Sequence, residues 1–455
     1  MSHSPPLLLF AIAMFLTSSQ AQGVEEFLQA AQQSPGVAAA AYQVQAREAG
    51  VRSARNPAQL QGQAGYVSLQ YSDTPPCQFL GTDLEFVCSL TNIPVPEDVT
   101  SASASLVLTP VVYGAVGHQV KQAQKELEQA RLDYADARST IEGQALVAAL
   151  RVRQAERGLE LAQQGLNLAQ AGLAATQIMV EKGAANERDL RQAQLQLAQA
   201  QSGYASAEAG MALAQAGLRA LVGDTPAPAE IPPLPYREGT ALDLLRTQIQ
   251  VDLAQDGLKR AQDSLVPTAS ASYTWHSSAR DSAGVSITSQ SLQPTVTYNY
   301  QNPPSSSGGL PIPGLSSIIA TPTLEGEFVV GVGGAISFAQ IEGTRAAAAG
   351  VKAAQAGLAA TQSQTDIQAQ NLRNQYETAT REYQIQLTAR DNAQANLNED
   401  QERARLGLLS PLQLQASFLS FAQAELDLQS SEVDLLTSIT NAYAFYGIAP
   451  SEVLK

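Results

Sequence analysis

The stretch KGAANERDLRQAQLQLAQAQ at residues 182–201 has a counterpart in LGLLSPLQLQASFLSFAQAE at residues 406–425. The two stretches align without a gap at a separation of 224 residues, and the alignment continues for about twenty residues beyond them. The matched pairs include Gly183 and Gly407, Asn186 and Ser410, Leu190 and Leu414, and Gly223 and Gly447. A pattern that recurs in this way predicts an internal duplication of a unit of about 200 residues.

Both copies continue as a helix with a seven-residue repeat. In the first copy the apolar line is Leu190, Leu197, Tyr204, Met211 and Leu218, and the line three residues on is Ala193, Ala200, Ala207, Ala214 and Leu221. In the second copy the lines are Leu414, Phe421, Leu428, Leu435 and Ala442, and Ser417, Ala424, Ser431, Ser438 and Phe445. Such a repeat predicts a left-handed coiled-coil seam.

Glycines precede the seam residue at a fixed heptad position. They stand at residues 158, 165 and 172 of the long helix and at residues 203, 210 and 217 of the helix after the turn. Each costs about 1 kcal/mol of helix propensity relative to alanine. Close packing against a neighbour explains that cost, and neutral drift in an alanine-rich and glycine-rich sequence is the alternative.

The order of predicted elements divides the chain into five parts. Residues 1–21 are a signal peptide, 22–223 the first repeat, 224–239 a Pro-rich equatorial linker, 240–447 the second repeat and 448–455 a C-terminal tail. Each repeat contains a short helix, a strand, a loop, a strand, a long helix, a tight turn and a medium helix. The proline content of the linker predicts an extended segment.

Four segments alternate in the manner of strands. They are GYVSLQY (65–71), SASASLVLTP (101–110), TASASYTWH (268–276) and EFVVGVGGAISF (327–338). Residues 283–300 are either a strand extension or a loop. Four strands leave two bare edges, which lipid does not tolerate, so several chains have to close the sheet. Three chains give an even twelve strands, and the predicted fold class is mainly α, a long coiled-coil helical barrel with a trimeric membrane β-barrel.

The N-terminus indicates export. Residues 7–16 form an apolar core too short to span a bilayer, and Ser19-Gln20-Ala21 resembles a cleavage site. No later stretch approaches the length of an apolar membrane helix, so a membrane location requires strands. In an oxidising compartment we expect Cys77 and Cys88 to form a disulfide, and metal binding by the two thiols is the alternative.

Charge and composition exclude several function classes. The net charge of −15 argues against nucleic acid as a partner. The negative charge either keeps the protein soluble or indicates an acidic lumen that favours cations. The histidines are His3, His118 and His276, and no nucleophile motif, phosphate loop or metal-ligand spacing appears. We therefore expect no enzyme activity, no cofactor and no metal site.

The duplicated layout resembles the TolC-like outer membrane efflux proteins. So does the turn motif Gly-x-x-[Ser/Asn]-x-x-x-Leu, which runs from Gly183 to Leu190 and from Gly407 to Leu414. The resemblance covers the mature chain. It implies a homotrimer whose twelve-stranded barrel lies in outer membrane lipid and whose helical tunnel crosses the periplasm. It also implies a periplasmic adaptor protein and an inner-membrane pump as partners in tripartite efflux or type I secretion.

The resemblance implies roles for particular residues. The turns at 182–189 and 406–413 become the periplasmic tips that dock the adaptor, with Gly183, Asn186, Leu190, Gly407, Ser410 and Leu414 as docking residues. Asp189 matches an acidic gate residue of the best-known member, so a ring of three Asp189 side chains is a candidate cation gate. An ordinary first-turn acid, favoured by the helix dipole, is the alternative. Other gate positions differ: Gln413 and Ala416 replace the second acidic pair, and Leu409 replaces the locking arginine.

A periplasmic coiled-coil adaptor without a pore is the competing interpretation. Adaptors have long helical hairpins, but they do not need a pair of alternating strands in each repeat. An adaptor without a lipid anchor washes off membranes, whereas a barrel needs detergent. The exported substrate stays open among drugs, metal ions, peptides and whole proteins.

Overall fold

The structure is a computed structural model. It describes residues 23–56, 58–68, 78–79, 86–87, 98–110, 112–277, 280–302, 326–334, 337–406, 408–409 and 411–454. The predicted signal peptide, the predicted disulfide between Cys77 and Cys88, and the turn residues Gly407 and Ser410 fall outside these ranges.

The helices reproduce the internal duplication. They are α1 (residues 23–32), α2 (Pro35–Ala54), α3 (Gly114–Glu181), α4 (Glu187–Val222), α5 (Leu242–Asp263), α6 (Phe338–Arg405), α7 (Pro411–Tyr446) and α8 (Pro450–Val453). The long helices α3 and α6 have 68 residues each, and α4 and α7 have 36 each. Every one of these helix ends lies 224 residues from its counterpart, which is the separation of the two turn motifs.

The first predicted helix is interrupted. The helical pattern of residues 24–53 predicts one short helix at the start of the first repeat, but α1 ends at residue 32 and α2 begins at Pro35. Proline has no N–H for the helical ladder, and it is favoured at the first position of a new helix. The Ser34 N–H turns back to the Ala31 carbonyl oxygen at 3.1 Å. The prediction of one continuous helix was therefore wrong at this point.

The strands form a larger sheet than predicted. They are β1 (Ala58–Ser68), β2 (Gln78–Phe79), β3 (Phe86–Val87), β4 (Asp98–Leu108), β5 (Thr268–His276), β6 (Asp281–Thr288), β7 (Thr295–Asn302) and β8 (Gly326–Gly333). Among the described residues, six of them form one antiparallel sheet in the order β1-β4-β7-β6-β5-β8, and β2 and β3 form a separate pair.

All four predicted strands are present as β1, β4, β5 and β8, but the sheet contains β6 and β7 as well. The segment 283–300 is thus a hairpin of two strands and the turn between them. β1 begins at Ala58, earlier than expected, because its polar residues alternate with Leu60, Gly62 and Ala64. Phe338 was placed on a strand face and instead begins α6.

Contacts divide the chain into two compact units. The first comprises the described residues up to Ala46, Leu127–Val251 and the described residues from Ala354 onward; the second comprises Arg47–Glu126 and Asp252–Ala353. The first unit contains an apolar core that includes Phe27, Leu28, Leu146 and Tyr443. In the part of the chain that the structure describes, no helix has the length and apolar composition needed to cross a membrane.

The linker between the repeats is anchored in the first unit. Residues 225–241 are neither helix nor strand. Arg153 of α3 donates to the carbonyl oxygens of Pro228 and Ala229 at 3.1 and 2.8 Å. The Tyr236 ring stacks on Tyr376 of α6, with centroids 4.6 Å apart. The extended linker therefore packs along the helices instead of hanging free.

Candidate functional site

The first predicted docking turn joins α3 to α4 and has a defined capping geometry. The Ala184 N–H donates to the Met179 carbonyl oxygen at 2.8 Å, and the Gly183 N–H donates to the Val180 carbonyl oxygen at 2.9 Å. This pair of bonds is a Schellman motif, which places its C′ residue in the left-handed region. Gly183 occupies that position with φ +68°, which explains why glycine stands there.

Helix α4 begins in the same turn with a reciprocal cap. The Asn186 side chain accepts from the backbone N–H groups of Arg188 and Asp189 at 2.9 and 3.0 Å. The Asp189 carboxylate accepts from the Asn186 N–H at 3.1 Å, which completes a capping box. The turn is thus a rigid connection whose conformation Gly183, Asn186 and Asp189 determine together.

The second predicted docking turn joins α6 to α7 and repeats one of these bonds. The Leu408 N–H donates to the Arg403 carbonyl oxygen at 2.8 Å, in the positions equivalent to Ala184 and Met179. Gly407 and Ser410 lie outside the described residues, and Leu414 is half-buried on α7. Leu406 and Leu408 are 65% and 74% exposed, whereas the equivalent residues of the first turn are Lys182 and Ala184. The two turns therefore offer different chemistry on a similar backbone.

In the structure, Asp189 caps the start of α4. Its side chain is exposed, and its observed bond is the one to the backbone of Asn186. It also lies in the first turn of α4, where the helix dipole favours a negative charge. Both observations agree with the capping alternative. The assignment of Asp189 to a cation gate stays a prediction, as do the docking roles of the turn residues.

The predicted coiled-coil seam of α4 is confirmed by burial. Ala193 and Leu218 are buried, and the other residues of both seam lines are half-buried. Apart from Val222 at its end, every remaining residue of α4 is exposed. The seven-residue repeat therefore identifies the face of α4 that packs.

The heptad glycines do not contact a neighbour inside this chain. A Cβ added at Gly158, Gly165, Gly172, Gly203, Gly210 or Gly217 meets no heavy atom within 4 Å. The close packing that was expected from these glycines is thus absent within the described chain. A side chain at each of these positions would have open space around it in the described chain.

The sheet of the second unit has two chemically different faces. Residues directly opposite each other in antiparallel strands point to the same side, so the register assigns each side chain to a face. On β1, β4, β5 and β8, one face carries Leu60, Ala64, Tyr66, Ala102, Ala104, Leu106, Ala269, Ala271, Tyr273, Trp275, Phe328, Val330 and Val332. The other face carries mainly Gln, Ser and Thr, with Val107 and Val329 among them. Tyr66, Tyr273 and Trp275 are exposed on the apolar face.

The sequence pattern of the outer membrane efflux protein family matches residues 28–224. The match covers less than half of the chain. The matched range contains α2, β1, β4, the first predicted docking turn and α4. The second repeat has helices of the same lengths at a constant separation. No curated protein matches the chain significantly.

Solved outer membrane channels share the fold of this chain. The Campylobacter jejuni CmeC outer membrane channel superposes with a TM-score of 0.61 at 11% identity, covering 94% of this chain and 86% of that one. The open state of the Neisseria gonorrhoeae MtrE outer membrane channel gives a TM-score of 0.59 at 15% identity, with coverage of 93% and 88%. VceC, an outer membrane protein from Vibrio cholerae, gives 0.55 at 16%, with coverage of 94% and 95%. At these identities the likeness shows the fold.

A buried carboxylate that sequence analysis missed holds the C-terminal helix α8. Glu142 of α3 is fully buried and accepts from Gln32, Arg138 and both the N–H and the hydroxyl of Ser451, at 2.8 to 2.9 Å. Burial lowers the pKa of Arg138, but the hydrogen bond and charge of Glu142 outweigh this effect and raise that pKa above its ordinary value. The sequence does show the i,i+4 spacing of Arg138 and Glu142, which predicts an ion pair. Because such pairs are typical of exposed helix surfaces, the spacing does not indicate that Glu142 is buried.

His118 is a second residue whose role the sequence did not reveal. Its Nδ1 lies 2.8 Å from Asp256 and its Nε2 lies 2.9 Å from Asp263, both on α5. Lys121, one turn further along α3, lies 3.6 Å from the other oxygen of Asp256. The side chain of His118 is buried between the two helices. It therefore serves the packing of α3 against α5 within the second unit.

Proposed function

We propose that this chain is the outer membrane channel of an export system that spans the cell envelope, either a tripartite efflux system or a type I secretion system. Three copies form one passive duct that lies in the outer membrane and extends into the periplasm. A periplasmic adaptor protein docks on the two turns, and an inner-membrane pump supplies the energy. The family match and the shared fold support this proposal.

The two-faced sheet is the observation that carries the proposal. Phe328, Val330 and Val332 of the edge strand β8 are 68%, 63% and 75% exposed. An exposed apolar edge strand invites aggregation in water. In a membrane barrel the apolar face meets lipid and the polar face lines a water-filled interior. The sheet therefore has the surface chemistry of a barrel wall.

The two turns support the docking part of the proposal. The first turn joins its helices through a rigid cap. Several apolar side chains near the two turns are exposed, including Ile178, Met179, Leu406 and Leu408. Exposed apolar residues on a rigid scaffold suit an interaction with another helical hairpin. Selection of the cargo would then lie with the pump and the adaptor, so the substrate stays open.

A matched pair of variants on β8 tests the proposal. Val330 belongs to the apolar face, and its neighbour Val329 belongs to the polar face. We expect Val330→Lys to lose membrane assembly, because a lysine on the lipid side costs about 2–4 kcal/mol at the middle of the bilayer. We expect Val329→Lys to assemble, because its side chain meets water.

The measurement is the fraction of protein that requires detergent for extraction and migrates as a trimer. If both variants assemble alike, the sheet does not separate lipid from water and the proposal fails. If the unaltered chain washes off the membrane as a monomer, the periplasmic adaptor interpretation replaces it.

A further inference from the structure

The hairpin β6–β7 lies between the strands of the two repeats. The first repeat contributes β1 and β4, and the second contributes β5 and β8, but β4 does not pair with β5. Instead β7 pairs with β4, and β6 pairs with β5. The distance along the chain from the first strand to the long helix is correspondingly greater in the second repeat than in the first.

The hairpin continues the apolar face along most of its length. Val296 stands opposite Leu106 of β4 on one side and Val285 of β6 on the other. Val285 in turn stands opposite Tyr273 of β5. The further residues that the hairpin adds to this face are Asp281, Ala283, Ile287, Tyr298 and Tyr300. Asp281 is the first residue of β6 and accepts a hydrogen bond from the Tyr298 hydroxyl at 2.6 Å. Apart from this end of the hairpin, lipid-compatible side chains run across the inserted strands in the same register as across their neighbours.

The hairpin also continues the polar face. Its residues there are Ser282, Gly284, Ser286, Thr288, Thr295, Thr297, Asn299 and Gln301. Alternation of apolar and polar residues is typical of a strand with one side in an apolar environment and the other in water. It is not expected of a strand that meets water on both sides. The alternation of β6 and β7 therefore matches a wall between lipid and water and does not match an exposed loop.

Both inserted strands pair along most of the length of their neighbours. β6 pairs with seven consecutive residues of β5, from Ser270 to His276. β7 pairs with eight consecutive residues of β4, from Thr100 to Val107. At about 3.4 Å per residue, eight residues reach about 27 Å along the strand, and eight is slightly fewer than the roughly 9–11 residues of a tilted membrane strand. The hairpin is thus as long as β8, which has the same number of residues.

The turn between β6 and β7 is fastened to the start of α3. The Leu108 N–H donates to the Pro294 carbonyl oxygen at 2.9 Å, and the Ala115 N–H donates to the Gln290 carbonyl oxygen at 3.2 Å. The Gln293 side chain donates to the Thr109 hydroxyl at 2.8 Å. The hairpin is therefore fixed at its turn as well as along both strands.

We propose that β6 and β7 are membrane-spanning wall strands, so that three copies of this chain close a barrel of eighteen strands instead of twelve. The proposal rests on the trimeric channel proposed above. In the described residues β1 and β8 each pair on one side only, and they run in opposite directions along the sheet. The free edge of β8 can therefore pair antiparallel with β1 of the next copy, which closes the barrel with an even number of strands.

The added strands widen the outer membrane section of the duct. Barrel diameter grows roughly linearly with strand number, so eighteen strands give a barrel about half again as wide as twelve. The inward residues of the hairpin are small or uncharged, namely Gly284, Ser286, Thr295 and Thr297. The outer section would thus admit bulkier solutes than a twelve-stranded section with the same interior.

Site-directed spin labelling tests the position of the hairpin. The single variants are Val285→Cys and Val296→Cys on the apolar face and Ser286→Cys and Thr297→Cys on the polar face, in a background with Cys77→Ser and Cys88→Ser. Ala104→Cys and Ser105→Cys on β4 serve as reference pair. Collision of the label with oxygen, which is enriched in lipid, is compared with collision with a water-soluble nickel chelate in liposomes.

We expect the hairpin labels to alternate as the β4 labels do, with oxygen favoured at Val285 and Val296 and nickel favoured at Ser286 and Thr297. Nickel access at all four hairpin positions, with alternation kept on β4, places the hairpin outside the bilayer and overturns the proposal. Loss of alternation on β4 as well overturns the proposed channel and this inference with it.

Electron microscopy of the unaltered chain in lipid nanodiscs gives an answer that needs no variant. A cross-section through the barrel with eighteen strand densities supports the proposal. A ring of twelve strand densities contradicts it.

Discussion

The carbonyl oxygen of Gln290 occupies the space in which a side chain on Gly114 would begin. A Cβ built on Gly114 lies 1.8 Å from that oxygen, and Gly114 has φ +56°. Gly114 is the first residue of α3, and Gln290 belongs to the turn between β6 and β7. The start of the first long helix and the hairpin turn therefore form one joint that only glycine fits.

Gly114→Ala should destabilise the assembled protein markedly. The left-handed conformation costs a non-glycine residue about 1–2 kcal/mol, and the backbone overlap with Gln290 adds to that cost. Gly117→Ala is the matched control, because the nearest atom to its Cβ is the Val112 carbonyl oxygen at an ordinary 3.9 Å. Thermal dissociation of the assembled protein provides the measurement. Equal transition temperatures for the two variants would contradict the claim that the contact between Gly114 and Gln290 requires glycine.

Gly183→Val or Gly407→Val should impair export while leaving the membrane barrel assembled. Gly183 has φ +68° in the Schellman motif, where a β-branched residue is strained, and Gly407 is its counterpart in the repeat. Gly257→Val, inside α5 and also with open space around a built Cβ, controls for a general loss of helix propensity. Accumulation of an exported compound in cells measures export. Unchanged export in both turn variants would contradict docking at these turns.

Asp189 variants should separate capping from gating. Asp189→Asn keeps an oxygen that can accept from the Asn186 N–H but removes the charge, whereas Asp189→Ala removes both. We expect Asp189→Ala to destabilise the start of α4 by about 0.5–2 kcal/mol, as loss of a capping side chain does. We expect both variants to lower the cation preference of the channel current in planar bilayers. An unchanged preference in Asp189→Asn would leave Asp189 as a capping residue.

Glu142→Gln should release the C-terminal helix. The substitution removes the charge that pairs with Arg138 in a buried position, and breaking such a pair costs about 3–5 kcal/mol. Glu452→Gln is the control, because Glu452 pairs with the same arginine but is 55% exposed. Limited proteolysis followed by mass spectrometry reports the C-terminus. Cleavage near Pro450 at the same rate in both variants would show that the buried carboxylate does not hold α8.

Gly210→Leu should weaken the trimer without unfolding the chain. Within one chain the position is open, so a side chain there meets no heavy atom of the described structure within 4 Å. Gly210→Ala should be tolerated by the helix and gain about 1 kcal/mol in helix propensity. The ratio of trimer to monomer in detergent is the measurement. If the trimer of Gly210→Leu is as stable as that of the unaltered chain, neutral drift explains the heptad glycines better than close packing does.

The helical part of the fold could be predicted because its signals are local. The seam from Leu190 to Leu221 follows from a seven-residue period, and the turn follows from a glycine at a C′ position. Because the two repeats align, the elements recognised in one repeat also predict those of the other. The break before Pro35 was missed because the helical pattern continues on both sides of it.

The sheet and the buried charges depend on contacts that are distant in sequence. The alternation of TVTYNY at 295–300 was visible, but its partners on β4 lie nearly 200 residues earlier in the chain, so strand and loop could not be separated. Glu142 is a charged residue in an otherwise ordinary helical pattern, and only the C-terminal residues that cover it show that it is buried. His118 likewise has its partners on another helix.

The association state of the membrane-extracted protein tests the channel proposal most directly. Cells are fractionated, the outer membrane is washed with salt and urea, and the protein is extracted with detergent for native mass spectrometry. We predict that the protein stays with the outer membrane until detergent is added and then has three times the mass of one mature chain. A monomer that the washes release would contradict the channel and favour a periplasmic adaptor.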